Sequence, residues 1–267
     1  MNSTKAGALE LAEFLEGVCR DQGVDARRLT EYPIPEGFLE DADVCCVLGG
    51  DGTILACAPE SMRSQTPVFG VNQGKLGFLA TYSVADIRKH FIDILRGDFQ
   101  IEKRSVLHAK TAGNEHALAL NDAVIKSADG RRLIGLQVWC DDSLVTEYYS
   151  DGIIFSTPTG STAYNLSAGG PIIMPGAEVL VMTPICPHSL SNRSLVLTRE
   201  SKFTVKVLEG ANAQVTLDGA QRLNGEEFFP LEIYISRREL PLLLPSDYSY
   251  FSILRQKLRW GGDTATV

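Results

Sequence analysis

The 267-residue sequence lacks several features that would place it in a special class. It has no apolar run long enough to span a membrane, and its first residues contain no apolar core of the signal-peptide kind. Its 25 lysines and arginines are outnumbered by 33 aspartates and glutamates, so the net charge of −8 gives no general attraction for nucleic acid or anionic lipid. We therefore expect a cytoplasmic protein without a nucleic-acid or membrane partner.

The six cysteines also lack a recognisable pattern. They form no Cys-x-x-Cys pair, and no spacing among them suits a zinc site. Thiols scattered through apolar runs are typical of proteins from a reducing cytoplasm. The sequence therefore predicts no metal site made by the protein alone. Any anionic ligand must be held by backbone amides and a few well-placed cations.

Residues 44–53 combine a short apolar strand with the glycine-rich turn Gly49-Gly50-Asp51-Gly52-Thr53. Three glycines in four positions allow the backbone to approach a large anion such as phosphate. A carboxylate repels phosphate, so Asp51 needs another purpose. It could polarise a hydroxyl or help to hold a metal ion. For this motif alone, an aspartate that caps the following helix is the structural alternative.

The chain changes its periodicity near residue 98. Before this point, helical spacing alternates with apolar strands, which predicts a parallel α/β domain over residues 1–98. Short β-rich runs separated by turns then predict a mostly β domain over residues 99–246. The tail, residues 247–267, is again helical in spacing and is expected to return to the first domain. The predicted helices are 5–20, 54–63 and 84–96, and the predicted strands are 44–48, 67–71, 101–111, 118–126, 133–140, 152–156, 195–198, 203–208, 214–217 and 228–235.

Two further polar motifs lie in the β-rich part. The stretch 150–171 follows a buried strand with hydroxyls, paired glycines and the ring of Tyr164. Hydroxyls of this kind suit ribose and phosphate oxygens, although a long surface loop would have a similar composition. Asn121-Asp122 interrupts another apolar run, where it could be a ligand site or an ordinary turn. The hydroxyls that could face a ligand are those of Thr159, Ser161, Thr162 and Ser167.

In this order, the GGDGT turn, the Asn121-Asp122 pair and the stretch from Thr157-Pro158-Thr159-Gly160-Ser161-Thr162-Ala163-Tyr164 to Pro171 resemble NAD kinases. The resemblance extends from about residue 9 to residue 260. The turn alone is shared with lipid kinases and phosphofructokinases, whereas the long Thr-Ser-Gly stretch is more specific. The resemblance implies an NAD kinase fold, with a Rossmann-like α/β N-terminal domain and a mostly β, sandwich-like C-terminal domain. A strand usually precedes the first helix of such a domain, so the resemblance leaves two alternatives: this strand is lost from the sheet edge, or an upstream start was missed.

The resemblance further implies phosphoryl transfer from ATP, or another phosphoryl donor, to the 2′-hydroxyl of the adenosine ribose of NAD, producing NADP. Asp51 would be the base, and Mg²⁺ or another divalent cation would accompany ATP. The family also suggests a homodimer or homotetramer. Tyr149 stands where many relatives have a cation. The implied binding residues are Gly49, Gly50, Gly52, Thr53, Phe78, Asn121, Asp122, Arg132, Tyr149, Asp151, Thr159, Thr162, Ala163, Tyr164, Asn165, Leu166, Ser167 and Gln221.

Two alternative functions use the same motifs. A regulator could bind NAD or NADP without turnover, but binding alone would not require the acid Asp51 beside a phosphate site. A lipid or sphingoid kinase could share the glycine-rich turn, but its substrate would require an apolar cleft where this sequence has the hydroxyls of residues 159–167.

Overall fold

A computed structural model of the protein describes residues 1, 7–31, 34–74, 76–128, 133–189, 191–208, 212–224 and 228–260. The chain divides into two compact units. The first comprises Met1–Glu102 with Leu240–Val267, and the second comprises Lys103–Glu239. These divisions lie a few residues from those expected at 98 and 246. The reason is that two strands, Gln100–Lys110 and Leu231–Leu244, each run from one unit into the other.

The described residues form helices and strands that alternate in the first unit and are almost entirely strands in the second. In chain order they are α1 (Ala8–Asp21), β1 (Cys45–Leu48), α2 (Asp51–Ser64), β2 (Val68–Asn72), β3 (Tyr82–Ser83), α3 (Val84–Leu95), β4 (Gln100–Lys110), β5 (His116–Ala119), β6 (Asp122–Ser127), β7 (Ile134–Cys140), β8 (Ser143–Ser150), β9 (Gly152–Ser156), a 3-10 turn (Thr159–Thr162), α4 (Tyr164–Ser167), β10 (Val179–Ile185), β11 (Leu195–Thr198), β12 (Phe203–Val207), β13 (Ala213–Leu217), β14 (Gln221–Asn224), β15 (Leu231–Leu244) and α5 (Tyr250–Leu258).

The first unit is a parallel sheet with helices on both faces. Strand β2 pairs in parallel with β1, with β3 and, through Val68, with Leu242 of β15. Phe69 and Val71 of β2 pack in one apolar cluster with α1 and α3. Successive residues of a strand face opposite sides, so Gly70 faces α2, where an added Cβ would lie 2.5 Å from a methyl carbon of Ile54.

The second unit packs two antiparallel sheets against each other. One sheet has the strand order β11-β10-β9-β6-β13-β14. In the other, β8 pairs with β7, β7 with β12, β12 with the beginning of β15, and β4 with β5. One apolar core lies between them, in which the rings of Phe155 on β9 and Phe203 on β12 are 4.9 Å apart. The predicted fold class, an α/β domain followed by a sandwich-like β domain, is confirmed.

The bounds of the individual helices and strands agree with the predicted bounds for some elements and differ for others. Strands β9 and β11 have the predicted bounds, and helices α1 to α3 lie where the spacing placed them. The run 118–126 is two strands, β5 and β6, rather than one. Strand β8 was not predicted, and neither was β10, which contains Pro184. Strand β15 begins later than expected and continues through Pro241 to Leu244.

The described residues can be compared with what the composition indicated about membrane spans and cysteines. None of its helices combines the length and the apolar character needed to cross a membrane. The six cysteines are all free thiols, and Cys19 and Cys57 are buried whereas Cys186 is exposed.

The N-terminus of α3 gives a direct test of the local structure. Ser83 and Asp86 form a capping box, in which the Asp86 amide donates to Ser83 Oγ and the Ser83 amide donates to Asp86 Oδ2, each at 3.1 Å. We expect Ser83→Ala to lower the free energy of unfolding by about 1 kcal/mol, because one amide loses its acceptor. Urea denaturation measures this change. The exposed Ser252→Ala within α5 is the control and should cost nothing, since alanine is favoured in helices.

Candidate functional site

The glycine-rich turn joins β1 directly to α2. The Gly49 amide donates to Val71 O at 3.0 Å, which fixes the end of β1 beside β2. Gly49 must be a glycine, because an added Cβ would lie 2.3 Å from Thr53 Oγ1. Helix α2 begins at Asp51. The Thr53 amide donates to Gly50 O at 2.9 Å, and the amides of Asp51 and Gly52 are those that helix geometry leaves without a partner in the helix. The turn therefore presents amides and the positive end of a helix dipole, which together suit a phosphate.

The carboxylate of Asp51 points towards the loop that follows β2. Its Oδ2 accepts a hydrogen bond from the Phe78 amide at 2.9 Å, and its Oδ1 accepts from Leu79 and Ala80 at 3.1 and 2.9 Å. Gly77 lies against the same carboxylate, and a Cβ there would be 1.8 Å from Asp51 Oδ1. Asp51 does not cap α2, whose N-cap is Gly50 without a side-chain hydrogen bond. Its carboxylate instead fixes residues 77–80 beside the glycine-rich turn.

A second aspartate does the same for the Asn121-Asp122 pair. Oxygens of Asp218 accept hydrogen bonds from the amides of Leu120, Asn121 and Asp122 at 2.7, 2.7 and 3.1 Å. The backbone between β5 and β6 thus turns around one half-buried carboxylate instead of continuing as a strand. Gly160 packs on the same segment, where an added Cβ would lie 2.0 Å from Asn121 O.

Burial changes the charge state of Asp122. Its side chain is almost entirely removed from water, and this desolvation, with a smaller effect of the nearby Asp218 charge, raises its pKa to about 7. Burial also raises the pKa of Asp218, but three backbone amides oppose this change. Near neutral pH, Asp122 is therefore only partly ionised.

Several side chains of the hydroxyl-rich stretch form hydrogen bonds with the protein's own backbone. Thr157 Oγ1 donates to Leu120 O at 2.5 Å, and Ser161 Oγ donates to Pro158 O at 2.6 Å. Ser161, which was expected to face a ligand, is fully buried. Asn165 is fully buried as well; its Nδ2 donates to backbone carbonyls and its Oδ1 accepts from Thr183.

Thr159 is buried too, but its hydroxyl has no hydrogen-bond partner among the described residues. The remaining predicted residues of this stretch are more accessible. Thr162, Ala163, Tyr164 and Leu166 are half-buried. Ser167 is exposed, as are Tyr149 and Asp151 at the end of β8.

A cavity of about 360 Å³ in the second unit collects several of the predicted residues. It lies on the face of β6 and β13 that is turned away from the apolar core. Tyr164 from α4 borders it and packs against Val124 of β6. The lining residues are Asn121, Asp122, Val124, Lys126, Ala163, Tyr164, Thr216, Asp218 and Gly219.

The structure thus forms two groups from the predicted residues. The glycine-rich turn and Phe78 come together in the first unit through Asp51, while Asn121, Asp122, Ala163 and Tyr164 share the cavity of the second. Gln221 begins β14 next to the Asp218 turn. Arg132 lies outside the described residues.

Three residues that border these groups were not predicted to act. Gly77 lies in the small-residue loop after β2, and its packing against the Asp51 carboxylate was not predicted. Asp218 lies in an Asp-Gly turn. This pattern predicts a hairpin, but it does not predict the hydrogen bond that Asp218 accepts from the Asn121 amide, 97 residues earlier in the chain. Lys126 could have been found from strand alternation, because it shares a face of β6 with Asp122.

The described residues also limit where a metal could bind. No group of three or more His, Cys, Asp or Glu side chains comes together in the described ranges. A magnesium ion bound to nucleotide phosphates needs only one or two protein carboxylates, so it does not require such a group.

Sequence comparisons identify relatives over most of the chain. A family model for the ATP-NAD kinase N-terminal domain matches residues 11–99, and one for the ATP-NAD kinase C-terminal domain matches residues 120–243. An NAD kinase of Paraburkholderia phytofirmans is 39% identical over 238 residues, covering 87% of this chain and 79% of that protein. An NAD kinase of Thiobacillus denitrificans is 37% identical over 268 aligned residues, covering 96% of this chain and 92% of that protein.

Two crystal structures resemble the whole fold. Yeast NADH kinase complexed with NADH has a TM-score of 0.74 and 28% identity, covering 84% of this chain and 69% of that one. An NAD kinase from Archaeoglobus fulgidus in complex with ATP has a TM-score of 0.78 and 25% identity, covering 93% of this chain and 94% of that one.

The packing of Gly77 against Asp51 predicts a steric effect. We expect Gly77→Ala to lower the free energy of unfolding by about 1–3 kcal/mol, because the new methyl group displaces the Asp51 carboxylate from its amides. Denaturant unfolding measures the change. Gly52→Ala is the matched control, since no atom lies within 4 Å of an added Cβ and α2 tolerates alanine. Equal stability of Gly77→Ala and the parent protein would contradict this packing.

The raised pKa of Asp122 predicts a pH-dependent stability. Between about pH 4 and pH 7 the folded state binds more protons than the unfolded state, so the free energy of unfolding falls as pH rises. Asp122→Asn removes this loss. The free energy of unfolding of this variant, measured relative to the parent protein, should increase as pH rises across that interval, by at most roughly 4 kcal/mol. Above the interval the difference should remain constant. Unfolding at several pH values tests this, with the exposed Asp142→Asn as control. A pH-independent difference would contradict the shift.

Proposed function

The chain belongs to the NAD kinase family, and we propose that it transfers a phosphoryl group from ATP to the 2′-hydroxyl of the adenosine ribose of NAD, producing NADP. The observation that carries this proposal is the geometry of Asp51. Its carboxylate stands at the first residue of α2, next to amides suited to phosphate, and three backbone hydrogen bonds fix its direction. A protein that only bound nucleotide would not require an acid at this point.

Asp51 is proposed to accept the proton of the 2′-hydroxyl. As the hydroxyl oxygen forms a bond to the terminal phosphorus of ATP, the bond from that phosphorus to the ADP oxygen breaks, and ADP leaves. A carboxylate has about four lone-pair positions, so three amide bonds leave room for one ligand hydroxyl. Phosphoryl transfer depends mainly on alignment and on neutralising phosphate charge. The carboxylate of Asp51, held in one direction, would align the hydroxyl. The Gly50 to Thr53 segment would neutralise part of the phosphate charge.

The cavity of the second unit is proposed to bind NAD. Asn121 and Asp122 offer an amide and a carboxyl group to ribose or nicotinamide, and the Tyr164 ring offers a flat surface to a base. The yeast relative was crystallised with NADH and the Archaeoglobus relative with ATP, which supports a site for each ligand class. Thr159, Thr162, Leu166 and Ser167 remain proposed contacts, as do Phe78, Tyr149, Asp151 and Gln221. The buried Asn165 is proposed to shape the loop, and no role is assigned to Arg132.

Mg²⁺ or another divalent cation is proposed to bind together with ATP. When bound, such an ion would neutralise the charge of the ATP phosphates. A homodimer or homotetramer in the cytoplasm is proposed as well. Its support is the family likeness, the six free thiols and the exposed apolar side chains Leu144, Tyr149 and Val196 in the second unit. Light scattering would give the subunit number.

Substitution of Asp51 tests the mechanism. We expect Asp51→Asn to lower kcat for NADP formation by several orders of magnitude, because the amide cannot accept the hydroxyl proton. The variant should still bind NAD, which at a hundred times its Kd stabilises a protein by roughly 2.7 kcal/mol in thermal unfolding. Asp86→Asn is the matched control, since Asp86 also lies in the first turn of a helix but belongs to the capping box of α3.

The same measurements separate a chemical effect from a structural one. Asn can replace only part of the three-amide contact, so both variants are compared at a temperature where each is fully folded. Turnover by Asp51→Asn within tenfold of the parent rate would rule out Asp51 as the base. Absence of a thermal shift with NAD or NADP in the parent protein, combined with a shift on addition of a lipid headgroup, would favour a lipid kinase instead.

A further inference from the structure

Lys126 is a cation of the second unit's cavity that lies outside the recognised motifs. It is on the same face of β6 as Asp122 and Val124, and all three line the cavity. Ala123 and Ile125 alternate with them and lie in the apolar core between the sheets. The strand therefore presents a carboxyl group, an apolar side chain and an ammonium group in a row along the cavity.

Two neighbours determine the direction of the Lys126 side chain. Its Nζ donates a hydrogen bond to Tyr164 Oη and lies 4.4 Å from the centroid of that ring. Gly152 on β9 pairs with Lys126, and an added Cβ there would lie 2.8 Å from Lys126 Cγ and 2.3 Å from Ile125 O. The lysine stem therefore crosses β9 at a point where that strand has no side chain.

The ammonium group keeps donor capacity that the described residues do not use. An ammonium has three hydrogen atoms, and among these residues its hydrogen-bond partner is the neutral phenol of Tyr164. No described carboxylate lies within 4.0 Å of its nitrogen. The side chain is half-buried, so its charge has lost part of its hydration. An anion in the cavity would accept the unused hydrogen bonds of the ammonium group and would compensate for the lost hydration.

The opposite end of the cavity repels anions. Asp122 lies four residues before Lys126 on an extended strand, which separates their backbones by roughly 13 Å. Asp218 lies at the Asp122 end, where it accepts the Asp122 amide. A phosphate group in this cavity is attracted by the ammonium and repelled by the carboxylates, so it belongs at the Lys126 end.

We propose that Lys126, with the hydroxyl of Tyr164, forms an anion subsite that binds a phosphate oxygen of the dinucleotide. This inference rests on the proposed function, because the phosphate belongs to its substrate or product. Two groups have the required chemistry. The diphosphate bridge occurs in both NAD and NADP, whereas the 2′-phosphate occurs in NADP alone.

Calorimetric titration of Lys126→Met with adenosine, NAD and NADP tests the subsite. Loss of a charge-assisted hydrogen bond should weaken binding on the order of 10- to 100-fold. Equal losses for NAD and NADP identify the diphosphate, and a loss for NADP alone identifies the 2′-phosphate. Adenosine has no phosphate and should bind both proteins equally. The affinity of the parent for the affected dinucleotide should fall more steeply with salt than that of the variant.

The controls use the same chemistry elsewhere. Lys206 also lies over an aromatic ring, that of Trp139 at 5.5 Å, but it does not line the cavity, so Lys206→Met should leave dinucleotide binding unchanged. Lys126→Arg should retain most of the affinity, and Lys126→Gln repeats the test if the methionine variant folds poorly. Unchanged binding of NAD and NADP by folded Lys126→Met or Lys126→Gln overturns the subsite, and so does an equal loss for adenosine. If the parent protein binds neither dinucleotide, the proposed function fails instead.

Discussion

In each unit, one carboxylate accepts hydrogen bonds from three consecutive backbone amides. Asp51 accepts from residues 78–80, and Asp218 accepts from residues 120–122. A carboxylate that leaves water must find donors, and amides that leave a strand or helix must find acceptors. Each contact meets both needs at once. The two aspartates therefore determine which loop borders the glycine-rich turn and which segment borders the cavity.

Glycines make these contacts possible because they allow main chain to approach polar groups closely. Gly77 admits the Asp51 carboxylate, Gly160 admits the carbonyl of Asn121, and Gly152 admits the stem of Lys126. In all three places an added Cβ would lie under 3.0 Å from its nearest neighbour. None of these three glycines requires an unusual φ angle, so their role is steric rather than conformational. The candidate sites are thus shaped largely by backbone, which explains why short motifs of small residues predicted them.

Local patterns predicted the fold better than the contacts within it. The alternation of helices and strands in the first unit follows from apolar spacing, and the glycine-rich turn follows from composition alone. The break between β5 and β6 lies at Asn121-Asp122, which the sequence showed as an interruption of the run 118–126, but its cause could not be predicted, because Asp218 lies almost 100 residues later. Ser161 was misjudged for a related reason: a hydroxyl can satisfy the loop's own carbonyls as readily as a ligand. Pro184 and Pro241 concealed strand residues, since proline normally interrupts a sheet.

The overall acidity of the protein constrains how it can bind anionic substrates. With a net charge of −8 there is no long-range attraction for ATP or a dinucleotide, and salt screens exposed charges beyond about 8 Å in any case. Attraction must come from groups in direct contact with the ligand. In the described parts of the candidate sites these are the first amides of α2 and the ammonium of Lys126. Because such contacts act only at short range, they select ligands whose phosphates fit the geometry, and an acidic surface elsewhere then disfavours polyanions that do not.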